Sequence, residues 1–168
     1  MLALNYSQQT RGVCVFDLDG TLIMVKNKQL SRDAVKACRD KGFGIAINTA
    51  EPTPICSVWQ WVQGAKDAGV EKGVNVPTEM WMCRGMHLHK TSGKIANMKT
   101  AMKYYNSSAA CMVLFDDKTS NVSAIRGAGF KAQQINRDGQ GISASELTTA
   151  LNQIRGCSGG RRLSRKQN

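Results

Sequence analysis

Val13-Cys14-Val15-Phe16-Asp17-Leu18-Asp19-Gly20-Thr21 is a short apolar run that stops abruptly in two carboxylates, a glycine and a threonine. Val13, Val15 and Phe16 favour extended backbone, so the run reads as a buried strand of an α/β sheet. Gly20 frees the chain to turn. A central strand does not readily bury carboxylates, so Asp17 and Asp19 belong at its C-terminal end, where open α/β sheets bind ligands. Alternation along the strand points both side chains to one side. Two carboxylates facing one spot repel, and a cation relieves them. Magnesium suits the place, because it takes oxygen ligands and keeps waters and phosphate oxygens in its shell.

Two further apolar runs end the same way. Phe43-Gly44-Ile45-Ala46-Ile47-Asn48-Thr49 closes on polar residues, and Ala110-Cys111-Met112-Val113-Leu114-Phe115 closes on Asp116 and Asp117. Between the runs lie helical patterns. Ser31 is placed to cap a helix over 32–41, Thr53 and Pro54 to open one over 54–67, Ser92 one over 93–105 and Ser120 a shorter one. A short strand is expected over 79–83 and a weaker one over 130–135. Ser143-x-x-Glu146 forms a capping box before Leu147, Ala150, Leu151 and Ile154 at helical spacing. Strands alternating with helices indicate a parallel sheet with helices on both faces. In such a sheet the polar strand ends share one edge, so Asp17, Asp19, Thr49, Asp116 and Asp117 converge.

In order and in kind, this set resembles the haloacid dehalogenase-like (HAD) superfamily, most of whose members are magnesium-dependent phosphatases. The likeness covers about residues 12–135. It implies a three-layer, Rossmann-like parallel sheet. Asp17 matches the nucleophile that forms an aspartyl-phosphate, and Asp19 the general acid and base. A second aspartate at that position is the mark of phosphatases within the superfamily. Magnesium would be held by Asp17, Asp19 through its backbone carbonyl, Asp116 and Asp117, with Asn121 in support. Phosphate would be held by Thr49, Asn48, Gly20 and a lysine. Lys94 matches that lysine best, with Lys90 and Lys99 as alternatives. Neither usual insertion site has room for a large cap domain, so the site is expected to be open.

The chain has 168 residues and a net charge of +11. One domain over 1–155 is expected, followed by a flexible basic tail over 156–168 carrying Arg161, Arg162, Arg165 and Lys166. A basic surface gathers anionic partners. An open, basic site suits a polynucleotide 3′-phosphate or a phosphoprotein. The alternatives are a nucleotide or sugar phosphatase lidded by loop 70–92 or a neighbouring subunit, and a non-catalytic nucleic-acid-binding protein of the same fold. No apolar run approaches a membrane span, and the first residues lack the basic flank of a secretory signal. The cysteines at 14, 38, 56, 83, 111 and 157 form no Cys-x-x-Cys pair. They read as reduced thiols of a cytoplasmic protein. Cys83, His87 and His89, with Cys56, form a candidate zinc set; the competing reading is a pair of exposed histidines on a substrate-facing loop.

Overall fold

The computed structural model describes residues 11–158. The expected lead-in over residues 1–10 and most of the basic tail lie outside them. Five strands, β1 (Val13–Phe16), β2 (Gly44–Pro52), β3 (Trp81–Arg84), β4 (Met112–Asp116) and β5 (Lys131–Gln134), form one parallel sheet in the order β3-β2-β1-β4-β5. The central strands β1 and β4 are buried throughout, as their unbroken apolar sequences require.

Among the described residues six α-helices connect and cover the strands: α1 (Lys28–Asp40), α2 (Thr53–Cys56), α3 (Trp59–Asp67), α4 (Lys90–Tyr104), α5 (Thr119–Gly127) and α6 (Ala144–Gln153). From β1 the chain steps outward to β2 and β3, then returns to the other side of β1 for β4 and β5. Right-handed crossovers therefore put α1 on one face of the sheet and α4 and α5 on the other. In keeping with this, α4 packs on α5 and α1 packs on α6. Strand order reverses between β1 and β4, so the ligand crevice of such a sheet opens there. No helix of the described residues is long and apolar enough to cross a membrane.

Helix starts differ from the sequence expectation. Asn27, not Ser31, caps α1, accepting from the Gln29 N–H at 3.1 Å. Ser31 is buried in the first turn, where its hydroxyl donates to the Thr21 carbonyl at 2.9 Å. α4 begins two residues before Ser92, and α5 one residue before Ser120. The helix expected over 54–67 is broken at Val58, which takes an extended conformation. The Ser143–Glu146 capping box is present.

The cysteines also depart from expectation. All six are paired, Cys14 with Cys38, Cys56 with Cys83 and Cys111 with Cys157, at Cα separations of 6.3, 6.2 and 5.6 Å. Those separations are ones a disulfide bridges. Crossover connections bring together residues 24 to 46 apart in the chain, a proximity that linear spacing does not reveal.

Candidate active site

Strand register builds the site. Phe16 pairs with Phe115 across the β1–β4 ladder and with Ile47 across the β1–β2 ladder. The next residue on each strand is Asp17, Asp116 and Asn48. The Asp17 N–H donates to the Phe115 carbonyl at 2.9 Å, which holds β1 and β4 together one step before their carboxylates. The rings of Phe16 and Phe115 stack at 4.8 Å between centroids. Asp17 and Asp116 thus stand side by side at the reversal point of the sheet.

Between them lies Lys94. Its ammonium donates to Asp17 Oδ1 at 2.7 Å, to Asp116 Oδ2 at 2.5 Å and to the Asn48 carbonyl at 2.8 Å. Lys94 is fully buried, whereas Lys90 and Lys99 are exposed. Lys99, five residues on, points about 140° away from Lys94, whereas Lys90 lies on the inward side but at the open first residue of the helix. Gly93 lets this end of α4 approach β3 closely, because a Cβ there would lie 2.7 Å from Arg84 Cγ.

Asp116 is held from several sides. Asn121 donates to both of its oxygens at 3.1 Å, and the Lys118 N–H donates to Oδ1 at 2.8 Å. Asp117 follows at the mouth. Its Oδ2 would lie 2.7 Å from a Cβ at position 20, where φ is +75°, so only glycine fits there. Its Oδ1 is buried and has no hydrogen-bond partner among the described residues. Thr49 is buried, and its Oγ accepts from the Glu51 N–H at 3.2 Å, which leaves its own proton to donate. Asp19 is half-buried, and no side chain of the described residues bonds its carboxylate.

Two expected phosphate ligands are otherwise engaged. The Asn48 amide donates to the Lys94 carbonyl at 2.9 Å and accepts from Asn97 at 3.0 Å, so Asn48 joins β2 to α4. The Gly20 N–H donates to the Ile23 carbonyl at 3.0 Å and closes its own turn. The candidate zinc set does not assemble either: Cys83 is paired with Cys56, while His87 and His89 are exposed.

Three contributors were not read from the sequence. Asn97 orients Asn48; it lies three residues after Lys94, a spacing that shares a helix face and could have marked it. Arg84 donates to the carbonyls of Ala50 and Leu88, fixing the β3–α4 loop against the end of β2. Gln134 donates to the Asp117 carbonyl at 2.5 Å. No sequence pattern announces the last two.

Burial lifts the Asp17 carboxyl to about 7, against the pull of Lys94 and with help from Asp116. Asp117 is likewise raised, by burial first and by Asp116 second. Burial draws the Lys94 ammonium down, but Asp17 and Asp116 outweigh it and hold it above its usual value. Carboxylate oxygens of Asp17, Asp116 and Asp117 lie within 4.8 Å of one another, the one such cluster among the described residues. Three acids, two of them bonded to one lysine and the third with an unpartnered buried oxygen, fit a hard divalent cation. The Asp19 carboxylate stays outside that cluster.

No protein-family model matches the chain, and no curated protein matches it. Solved structures do. A protein from Mesorhizobium loti described as a HAD-like phosphatase aligns with a TM-score of 0.58 at 13% identity, over 92% of this chain and 90% of its own. The N-terminal part of a Bacteroides fragilis protein, containing a phosphatase domain complexed with Mg, aligns with a TM-score of 0.57 at 14% identity. That match covers 91% of this chain and 42% of the other. The cobalt-bound deoxy-D-mannose-octulosonate 8-phosphate phosphatase of Haemophilus influenzae aligns with a TM-score of 0.50 at 12% identity, over 88% and 91%. The fold of this chain is therefore HAD-like.

Proposed function

We propose that this protein is a magnesium-dependent phosphomonoester phosphatase that works through an aspartyl-phosphate on Asp17. The observation that carries the reading is the adjacency of Asp17 and Asp116 across the β1–β4 ladder, with the Lys94 ammonium bonded to both. In the first step an Asp17 oxygen bonds to phosphorus as the bond to the leaving oxygen breaks, and Asp19 gives that oxygen a proton. In the second step Asp19 takes a proton from water. The water oxygen bonds to phosphorus, the Asp17–phosphorus bond breaks, and inorganic phosphate leaves. Thr49 donates to a phosphate oxygen, and Lys94 offsets the charge that gathers between nucleophile and phosphate. The cation would be held by Asp17, Asp116 and Asp117, and when bound it offsets carboxylate–phosphate repulsion. Asp17 needs such help: a nucleophile held near 7 by burial is only partly ionised at neutral pH, and added positive charge brings it down.

The site is uncapped in this reading, because β1 passes to α1 through the single connector 17–27. That openness and the charge of +11 favour a large anionic substrate. The cytoplasmic placement is part of this reading, and the three cysteine pairs, of a kind that oxidising compartments preserve, weigh against it. The test is hydrolysis of p-nitrophenyl phosphate with magnesium, with chelator, and in Asp17→Asn. Chelator and mutation should each remove activity, the mutation by at least about a thousandfold. A mutant that retains the wild-type rate refutes the nucleophile assignment.

A further inference from the structure

The two helical layers carry charge differently. On the α1 side three cations are paired: Lys28 with Asp67 at 3.2 Å, Lys36 with Asp40 at 2.5 Å and Lys66 with Glu71 at 2.7 Å. From Met80 to Arg137, the stretch that makes β3, α4, β4, α5 and β5, the only acids are Asp116 and Asp117. Both belong to the site. Lys90, Lys99, Lys103, Lys118, Lys131 and Arg137 have no ion-pair partner among the described residues, and all but the half-buried Lys118 are exposed. Asp138, next to Arg137, is turned onto its own loop, accepting from the Gln140 N–H and the Asn136 amide.

Some of these cations stand beside the site and others on the outer side of α4. Lys118 immediately follows Asp117, and both Lys118 and Arg137 act on the Asp117 carboxyl. Lys90 opens α4 one turn before Lys94. At 100° per residue Lys99 and Lys103 lie about 140° and 180° around the helix from inward-facing Lys94, hence on its outer side. From Lys90 to Lys103 the helix rises about 20 Å. At the far end Tyr104 is 49% exposed, and its ring stands edge-on to Tyr105 with centroids 5.0 Å apart. Tyr105 is itself anchored, its hydroxyl donating to the Ile45 carbonyl at 2.6 Å. Unpaired cations beside the site and on the outer side of α4, with an exposed aromatic ring at the far end of the helix, suit a single-stranded polynucleotide: cations for its phosphates and a platform for a base. A phosphoprotein offers one dianionic group and no regular charge along such a length.

We propose that the outer face of α4, with Lys118 and Arg137 at its head and Tyr104 at its foot, is the track for a single-stranded polynucleotide whose terminal phosphate enters the Asp17 site. This rests on the phosphatase reading for its chemistry but not for its binding. A track of about 20 Å spans about six stacked nucleotides at 3.4 Å each.

The full-length protein, its Lys99→Glu/Lys103→Glu variant and its Tyr104→Ala variant test the track in two arms. In the first, fluorescence anisotropy with an unphosphorylated oligothymidylate reads binding without chemistry. The charge reversal should weaken binding by about tenfold or more and flatten its salt dependence, Tyr104→Ala should weaken it with the slope unchanged, and unchanged affinity in the charge-reversed protein overturns the track. In the second arm, kcat/KM is measured for p-nitrophenyl phosphate and for terminally phosphorylated oligonucleotides of increasing length. It should rise with length and level off near about six nucleotides, and the charge reversal should lower it for long oligonucleotides only. Equal rates at all lengths, or a matching loss on p-nitrophenyl phosphate, overturn the proposal. Absence of any hydrolysis by the wild type defeats the phosphatase reading instead, and the binding arm still decides the track.

Discussion

Replacing Lys94 with methionine removes the cation from between two buried carboxylates while keeping the length of the side chain. Lys94 and Asp116 are fully inaccessible and Asp17 nearly so. Breaking a buried ion pair by deleting one partner costs about 3–5 kcal/mol, because the other charge is left unpaired. Asp116 keeps its bonds from Asn121 and the Lys118 N–H, so the burden falls on Asp17. Asp17 is already held near 7 by burial, and without Lys94 it rises further. Its unfolded value stays at 3.8, so across this range the native state binds a proton that the unfolded state does not. Stability of the variant must then fall as pH rises, by about 1.4 kcal/mol for each unit of extra shift once the proton is lost. Urea unfolding of metal-free protein at about pH 5 and about pH 8 reads this directly, with the deficit larger at the higher pH. Adding Asp17→Asn to Lys94→Met should restore most of the loss. A variant as stable as the wild type at both pH values, or a deficit independent of pH, refutes the account of the site as a lysine-neutralised carboxylate pair.

Gly20→Ala should cost about 1–2 kcal/mol through its left-handed backbone and should weaken magnesium binding by displacing Asp117; differential scanning calorimetry with and without the ion measures both. In metal-free wild type the raised Asp17 makes stability decline as pH climbs from about 4 to about 7, and magnesium should remove that slope, as unfolding at several pH values will show. Reducing the Cys111–Cys157 link, which closes a span of 46 residues, should lower stability by about 4 kcal/mol, read from unfolding with and without reductant.

Much of this fold is legible in the sequence because its central strands are buried on both faces. Val13–Phe16 and Met112–Asp116 are short, apolar and abruptly ended by acid, and no other element looks like that. The capping box at Ser143 is equally plain, since both of its members act within four residues. Serine alone misled at three other helices. A hydroxyl caps only if nothing else claims it, and Ser31 is claimed by a carbonyl ten residues away in sequence. The same limit hid Asn48: its position at a strand end suggested a ligand contact, but its amide is taken up by α4, a partner 46 residues distant. The cysteine pairs failed to show for a like reason. Composition reports how many thiols there are, and only topology reports which ones meet.

The connector between β1 and α1 is fastened at several points. Ser31 holds Thr21, the Lys26 and Asn27 amides bond to the carbonyls of Gly139 and Gln140, and Ile23 lies against Gly64. A segment tied at both ends and in the middle has no hinge. On the proposed reading, this connector meets the substrate as a standing wall of the crevice and not as a door.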